Sequence, residues 1–197
     1  MRTPMRSRRP RSTSEPDRCA EPASPGPDAP DAERQEELAF THCLRRLTAA
    51  PRTEAELTES MRARGYRDVV IETVLARLRA ARYVDDAELA RAWVESRTRT
   101  RGLAAPVLRA ELLGKGVPDE LVAAALDGLD DEVLDDQAHR IVRRKLTASG
   151  RDFDTLDRTE QQRLTRRLVG MLARKGHSSG AAYAVVRDVI DEQRAAG

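Results

Sequence analysis

Three histidines, two cysteines and a run of six acids in ten residues are the side chains of this 197-residue sequence best suited to catalysis or metal binding. His42, His139 and His177 are scattered, whereas zinc sites draw His and Cys ligands from short, regular intervals. His42 and His139 therefore read as surface or boundary residues. Cys19 and Cys43 are far apart and lack a Cys-x-x-Cys partner, so they read as ordinary thiols rather than a disulfide. The acidic run Asp127–Asp136, "DGLDDEVLDD", suits a solvated linker that caps the next helix better than a metal or catalytic site. The sequence holds no phosphate-binding glycine loop, no His-Glu-x-x-His and no nucleophile elbow, the local signatures of the common catalytic classes. Neither an enzyme, nor a cofactor, nor a resident metal is expected.

What remains is electrostatic chemistry. Basic and acidic residues nearly balance, 35 against 33, yet 32 of the basic residues are Arg. Arg and Ala together also follow from GC-rich coding, so Arg content alone assigns no partner. Position is more informative. Arg97, Arg99 and Arg101 follow Trp93 at the end of one apolar-periodic segment, and Arg109 and Lys115 lie on the next. Arg143, Arg144, Lys145, Arg166, Arg167, Arg174 and Lys175 recur further on, and Arg62, Arg64 and Arg67 precede them. Cations in corresponding places suit a long acidic groove or a polynucleotide. A solvated helical surface balanced by Glu and Asp accounts for the same composition.

The elements that carry these residues are helical. With 3% aromatic and 35% charged residues, an Ala-, Leu- and Arg-rich chain favours helix over sheet, and no segment alternates with period two. Seven of the ten prolines fall within residues 1–33, which contain no Leu, Ile, Val or Phe. Residues 1–34 thus read as a disordered tail. No apolar run reaches the roughly 20 residues needed to cross a bilayer. The first residues lack the apolar core of a secretion signal, which points to the cytoplasm. No sustained heptad argues for a coiled-coil dimer, so a monomer is expected.

One local pattern occurs three times: "MRARGY", "LLGKGV" and "LARKGH". Aligned on Gly65, Gly116 and Gly176, apolar residues match eight upstream (Leu57, Leu108, Leu168) and four upstream (Met61, Leu112, Leu172). They match again five downstream (Val70, Leu121, Ala181) and nine and ten downstream (Val74-Leu75, Ala125-Leu126, Val185-Val186). Such self-similarity marks an internal repeat. Each glycine supplies the left-handed residue that ends a helix in a Schellman cap, so its role is structural. Thr53-x-x-Glu56, Asp85-x-x-Glu88 and Asp157-x-x-Glu160 read as capping boxes, and Val84 as a staple to Leu89. Leu108 and Leu112 face inward, so Arg109 points partly outward and Lys115 lies near an exposed helix end. The architecture expected is all-α: three tandem three-helix repeats at 35–82, 83–130 and 131–194. Units this small bury little core alone and stack into an elongated, curved, solenoid-like array.

The stretch Tyr83–Leu126 is similar to the central signature of the RecX family, bacterial regulators of the RecA recombinase. The matching residues are Tyr83-Val84-Asp85-Asp86, Leu89-Ala90, Trp93-Val94, Arg97, Arg101-Gly102, Leu108, Glu111-Leu112, Lys115-Gly116-Val117 and Ala125-Leu126. The resemblance implies binding within the helical groove of the RecA–DNA filament, across neighbouring protomers. It implies inhibition of recombinase, ATPase and coprotease activities, and so modulation of recombination, DNA repair and the SOS response. It brings no catalytic residue and no cofactor. Two departures stand out. Leu103-Ala104-Ala105-Pro106-Val107 occupies a place where many relatives carry a glycine and more basic residues, and Pro118 replaces a common capping Ser.

The competing expectation is a direct DNA-binding protein, with the helix after each glycine entering a groove as in helix-turn-helix proteins. Those helices are poorly equipped for it. "DELVAAAL" is acidic and apolar, and "RDVVIETVLARL" offers few of the Arg, Asn or Gln side chains that read base edges.

Overall fold

The computed structural model describes residues 29–148, 150 and 153–196. Among the described residues there is no strand, and nine α-helices follow one another. They are α1 (Ala29–Ala49), α2 (Glu54–Arg62), α3 (Asp68–Ala80), α4 (Asp86–Arg101), α5 (Ala105–Gly114), α6 (Asp119–Asp127), α7 (Asp131–Ala148), α8 (Arg158–Ala173) and α9 (Ser179–Ala196). The helices fall three to a repeat. α1 packs on α3, α4 on α6 and α7 on α9, and the middle helix closes each unit. Every repeat has its own core. The first is centred on Leu57, Met61, Val74 and Leu78, the second on Leu108, Leu112 and Val122, and the third on Val142, Leu172, Val186 and Val189.

The three glycine stops share one geometry. Gly65, Gly116 and Gly176 have φ of +82°, +76° and +94°, a region that other residues enter only at a cost. The next amide closes the Schellman bond: Tyr66 donates to the Met61 carbonyl at 3.3 Å, Val117 to Leu112 at 3.1 Å and His177 to Leu172 at 3.2 Å. The columns eight and four residues upstream are buried in all three repeats. Downstream the columns nine and ten after the glycines are buried at Val74-Leu75, Ala125 and Val185-Val186, whereas the column at five is buried only at Val70. Leu121 is half-buried and Ala181 exposed, while the residues six after each glycine, Ile71, Val122 and Ala182, are buried throughout. A period of 3.6 lets apolar neighbours satisfy either register, and the tilt of the third helix onto the first decides between them.

Several other expectations are corrected. Residues 1–28 lie outside those described, but 29–34 belong to α1, not to a tail. Pro30 suits a first turn, where its missing N–H would be unpaired anyway, and Asp31 complements the helix dipole. His42 is buried rather than at the boundary, 5% exposed, because its Nε2 finds the Ser60 hydroxyl at 2.8 Å. His139 is half-buried, its Nδ1 3.0 Å from the Asp135 carbonyl. Val84 packs into the core of repeat one instead of stapling its own helix. The Thr53–Glu56 capping box closes in both directions, and Asp85 and Asp157 cap their helices by accepting the amides of Glu88 and Glu160. Repeat three also carries a 3-10 turn, Phe153–Thr155, that buries Phe153 in its core. Cys43 is buried and free, its thiol pushed up by burial against the smaller opposing effect of Arg46. Cys19 lies outside the described residues.

Successive repeats meet through the glycine turns. The turn after α5 docks on the start of α2, where the Thr53 hydroxyl donates to the Lys115 carbonyl at 2.7 Å. Beside it, the Glu54 amide donates to Asp86 Oδ1 at 3.1 Å. Burial pushes the Asp86 carboxyl up, opposed by that hydrogen bond. The turn after α8 docks in the same way on the start of α5, where the Ala104 amide donates to the Lys175 carbonyl at 2.9 Å. Gly65, in the first repeat, has no such neighbour, whereas a side chain on Gly116 would collide with Ala55.

Candidate interaction surface

The twelve cations singled out by sequence divide into three groups once their surroundings are known. Two are half-buried and paired. The Arg97 guanidinium lies 4.0 Å from the centroid of the Trp93 ring and 3.7 Å from Glu111. Trp93 itself is half-buried, and its Nε1 donates to Glu111 at 2.8 Å. Lys115 Nζ lies 4.7 Å from the same ring centroid and 2.6 Å from Glu56 Oε1. Lys115 is thus a bridge between repeats rather than a charge at an exposed helix end, because its turn is pressed onto α2.

Three more are exposed but paired. Arg99 meets Glu95 at 3.3 Å, Arg109 meets Asp119 at 2.5 Å, and Arg143 meets Glu192 at 2.7 Å. Exposed pairs of this kind hold their partners weakly and can exchange them. Repeat one contributes Arg62, paired with Asp68 at 2.9 Å, and the exposed Arg64 and Arg67.

The third group consists of Arg101, Arg144, Lys145, Arg166, Arg167, Arg174 and Lys175. Among the described residues none of these has a carboxylate within ion-pair distance. All are exposed except Lys175, which is half-buried. Lys175 is held below the ordinary lysine range, first by burial and then by the charges of Arg101, Arg144 and Lys145. Lys175 Nζ donates to the Arg101 carbonyl, and Ile141, one turn before Arg144 and Lys145 on α7, meets Gly102, so Arg101, Arg144, Lys145 and Lys175 gather at the joint of repeats two and three. Arg140, missed by sequence reasoning, extends this group along an open groove on α7 with Arg143, Arg144 and Thr147. Its spacing of four from Arg144 on one helix was the available signal. Arg166 lies apart, on a second groove with Phe153, Arg158 and Tyr183.

Only residues 128–130 of the acidic run link helices, since Asp127 ends α6 and the acids from Asp131 to Asp136 belong to α7. Asp130 Oδ1 accepts the Glu132 amide at 2.8 Å and so caps α7. Among the described residues no group of three or more His, Cys, Asp or Glu is placed to hold a metal ion, and no helix is long and apolar enough to cross a membrane.

The chain matches the family model for the first three-helix domain of RecX over residues 39–78 and that for the second over residues 85–126. Regulatory protein RecX of Thermobifida fusca (strain YX) is 46% identical over 151 residues, which cover 77% of this chain and 78% of the relative. The chain belongs to the RecX family. Regulatory protein RecX of Mycolicibacterium smegmatis (strain ATCC 700084 / mc(2)155) is 41% identical over 192 residues, 96% of this chain and 97% of that one. The fold agrees with two solved members. The crystal structure of RecX from Lactobacillus salivarius superposes with a TM-score of 0.65 over 83% of this chain and 99% of that chain, at 18% identity. A second crystal structure of regulatory protein RecX gives 0.61 over 80% and 74%, at 23% identity. In this RecX-family chain the unusual stretch Leu103–Val107 is part of the joint itself: Leu103 and Ala104 are buried, and Ala104 receives the turn of repeat three.

Proposed function

We propose that this chain binds RecA and the RecA–DNA filament and inhibits the recombinase, ATPase and coprotease activities, so restraining recombination, DNA repair and the SOS response. The observation that carries the reading is the run of cations without internal partners from the end of α4 through α7 to α8. A helical filament offers repeating acidic surface and phosphate along its groove, and an array of three repeats opening with α1, α4 and α7 matches repeating sites with repeating units. Arg101, Arg144, Lys145, Arg166, Arg167, Arg174 and Lys175 are the direct contacts in this reading. Arg99, Arg109 and Arg143 join them by exchanging exposed partners, and Arg97 and Lys115 position α4 and the turn after α5. The protein acts as a cytoplasmic monomer, with no catalytic step of its own.

A base-reading role for the helices after the glycines has less behind it. α6 opens with the exposed acids Asp119 and Glu120, which repel a phosphate backbone. RecA ATPase on single-stranded DNA, measured with and without the protein, tests the reading. Dose-dependent inhibition at substoichiometric or equimolar protein is expected; unchanged ATPase would contradict it.

A further inference from the structure

The two joints between repeats follow one plan and differ by one charge. In the first, Lys115 meets Glu56, the third residue after the cap Thr53 of α2. In the second, the corresponding place after the cap Ala104 of α5 is Val107. Lys175 therefore has no carboxylate to meet, and its Nζ turns to the backbone carbonyl of Arg101. Two further hydrogen bonds hold the joint, Ala104 N–H to the Lys175 carbonyl at 2.9 Å and His177 Nε2 to the Gly102 carbonyl at 3.1 Å, and among the described residues no ion pair does.

The backbone brings together the elements that carry the cations around it. Gly102 adopts φ of +60°, and α7 approaches so closely that a side chain there would collide with Ile141. This approach brings Arg144, Lys145 and Lys175 of repeat three toward Arg101 of repeat two. Like charges gathered without a counter-ion push the two repeats apart.

We propose that the phosphodiester backbone of a DNA strand occupies this four-cation cluster, replaces the missing carboxylate and fastens repeat three onto repeat two. Charge density favours phosphate over an acidic protein surface. A nucleic-acid strand supplies one charge per roughly 3.4 Å of axis, enough to answer four cations in one place, and carboxylates crowded that closely would repel one another before binding. The side chains fit as well. Arg101 and Arg144 can each grip two phosphate oxygens, and Lys145 and Lys175 act as compact point charges. The inference deepens the filament reading, since DNA within a filament would supply the phosphates, but it is testable without RecA.

The test uses the full chain and a fluorescein-labelled oligo-dT strand. Anisotropy titrations over a range of salt should show that Arg101→Gln and Arg144→Gln each weaken binding and lower the slope of log K against log salt by about 0.7. Val107→Glu, which restores the carboxylate of the first joint, should weaken oligo-dT binding too. Hydrogen exchange at the Ala104 amide reads the joint itself. Oligo-dT should slow it in the unaltered protein, and Val107→Glu should slow it without DNA. Unchanged slopes in both glutamine variants would overturn the proposal, as would DNA binding that leaves the Ala104 amide unprotected. So would variants that lose binding to DNA-free RecA alone, which would assign the cluster to an acidic protein surface. Should oligo-dT binding behave as described while RecA ATPase is unaffected, the filament reading fails and this one stands.

Discussion

Lys115 Nζ lies 2.6 Å from Glu56 Oε1 and ties the turn of repeat two to the first turn of the middle helix of repeat one. Burial works against the Glu56 charge, but the hydrogen bonds from Lys115 and the Thr53 amide, with the charges of Lys115 and Arg52, outweigh it and hold the carboxyl below its ordinary value of 4.5. A folded-state value below the unfolded one means stability that is complete above pH 4.5 and lost as pH falls through the folded value. Glu56→Gln should therefore cost about 1–2 kcal/mol at neutral pH, and its difference from the unaltered protein should shrink in acid. Urea denaturation at a series of pH values checks both.

The glycine turns separate backbone strain from docking. Gly65→Ala meets only the left-handed penalty, about 1–2 kcal/mol, since nothing lies within 4 Å of the added carbon. Gly116→Ala meets the same penalty and also strikes Ala55 across the joint. It should be the more destabilising of the two and should in addition speed hydrogen exchange at the start of α2. Equal losses of stability would remove the joint from the account.

Leu112 and Leu113 are neighbours with opposite surroundings. Leu112 is fully buried, while Leu113 is 44% exposed. Leu112→Ala should cost about 2–5 kcal/mol, and Leu113→Ala should be close to neutral by thermal or urea unfolding.

His42 is held below its ordinary value of 6.5, first by burial and then by Arg64, Arg46 and Arg45. Its neutral form is the one the fold accepts, so stability is full above pH 6.5 and declines as pH falls through the folded value. His42→Gln keeps a hydrogen-bonding group toward Ser60 without a titration. Its stability should vary less with pH below 6.5 than that of the unaltered protein, as read by thermal unfolding across that range.

The helical repeat was legible because a left-handed helix end leaves a visible mark: glycine, at Gly65, Gly116 and Gly176. The first column after it is ambiguous in sequence, since Val70 and Ile71 are both apolar and both buried, while of Leu121 and Val122 only Val122 is buried. The joints were not legible. They rest on turn carbonyls, those of Lys115 and Lys175, and side-chain pattern carries no record of where a backbone oxygen points. The cations could be listed from sequence but not sorted, because Glu56 lies far from Lys115 along the chain. One clue was present: the third positions after Thr53 and Ala104 hold Glu56 and Val107, which separates a neutralised joint from a cationic one.

The central claim is that cations left unpaired by the fold hold this RecX-family protein on a RecA filament. Titrating RecA ATPase on single-stranded DNA with the unaltered protein and with Arg101→Glu tests it most directly, with helicity checked by circular dichroism. Inhibition by the unaltered protein, and its loss in an equally helical Arg101→Glu, is the predicted result. Equal inhibition by both proteins, or none by either, would contradict the claim.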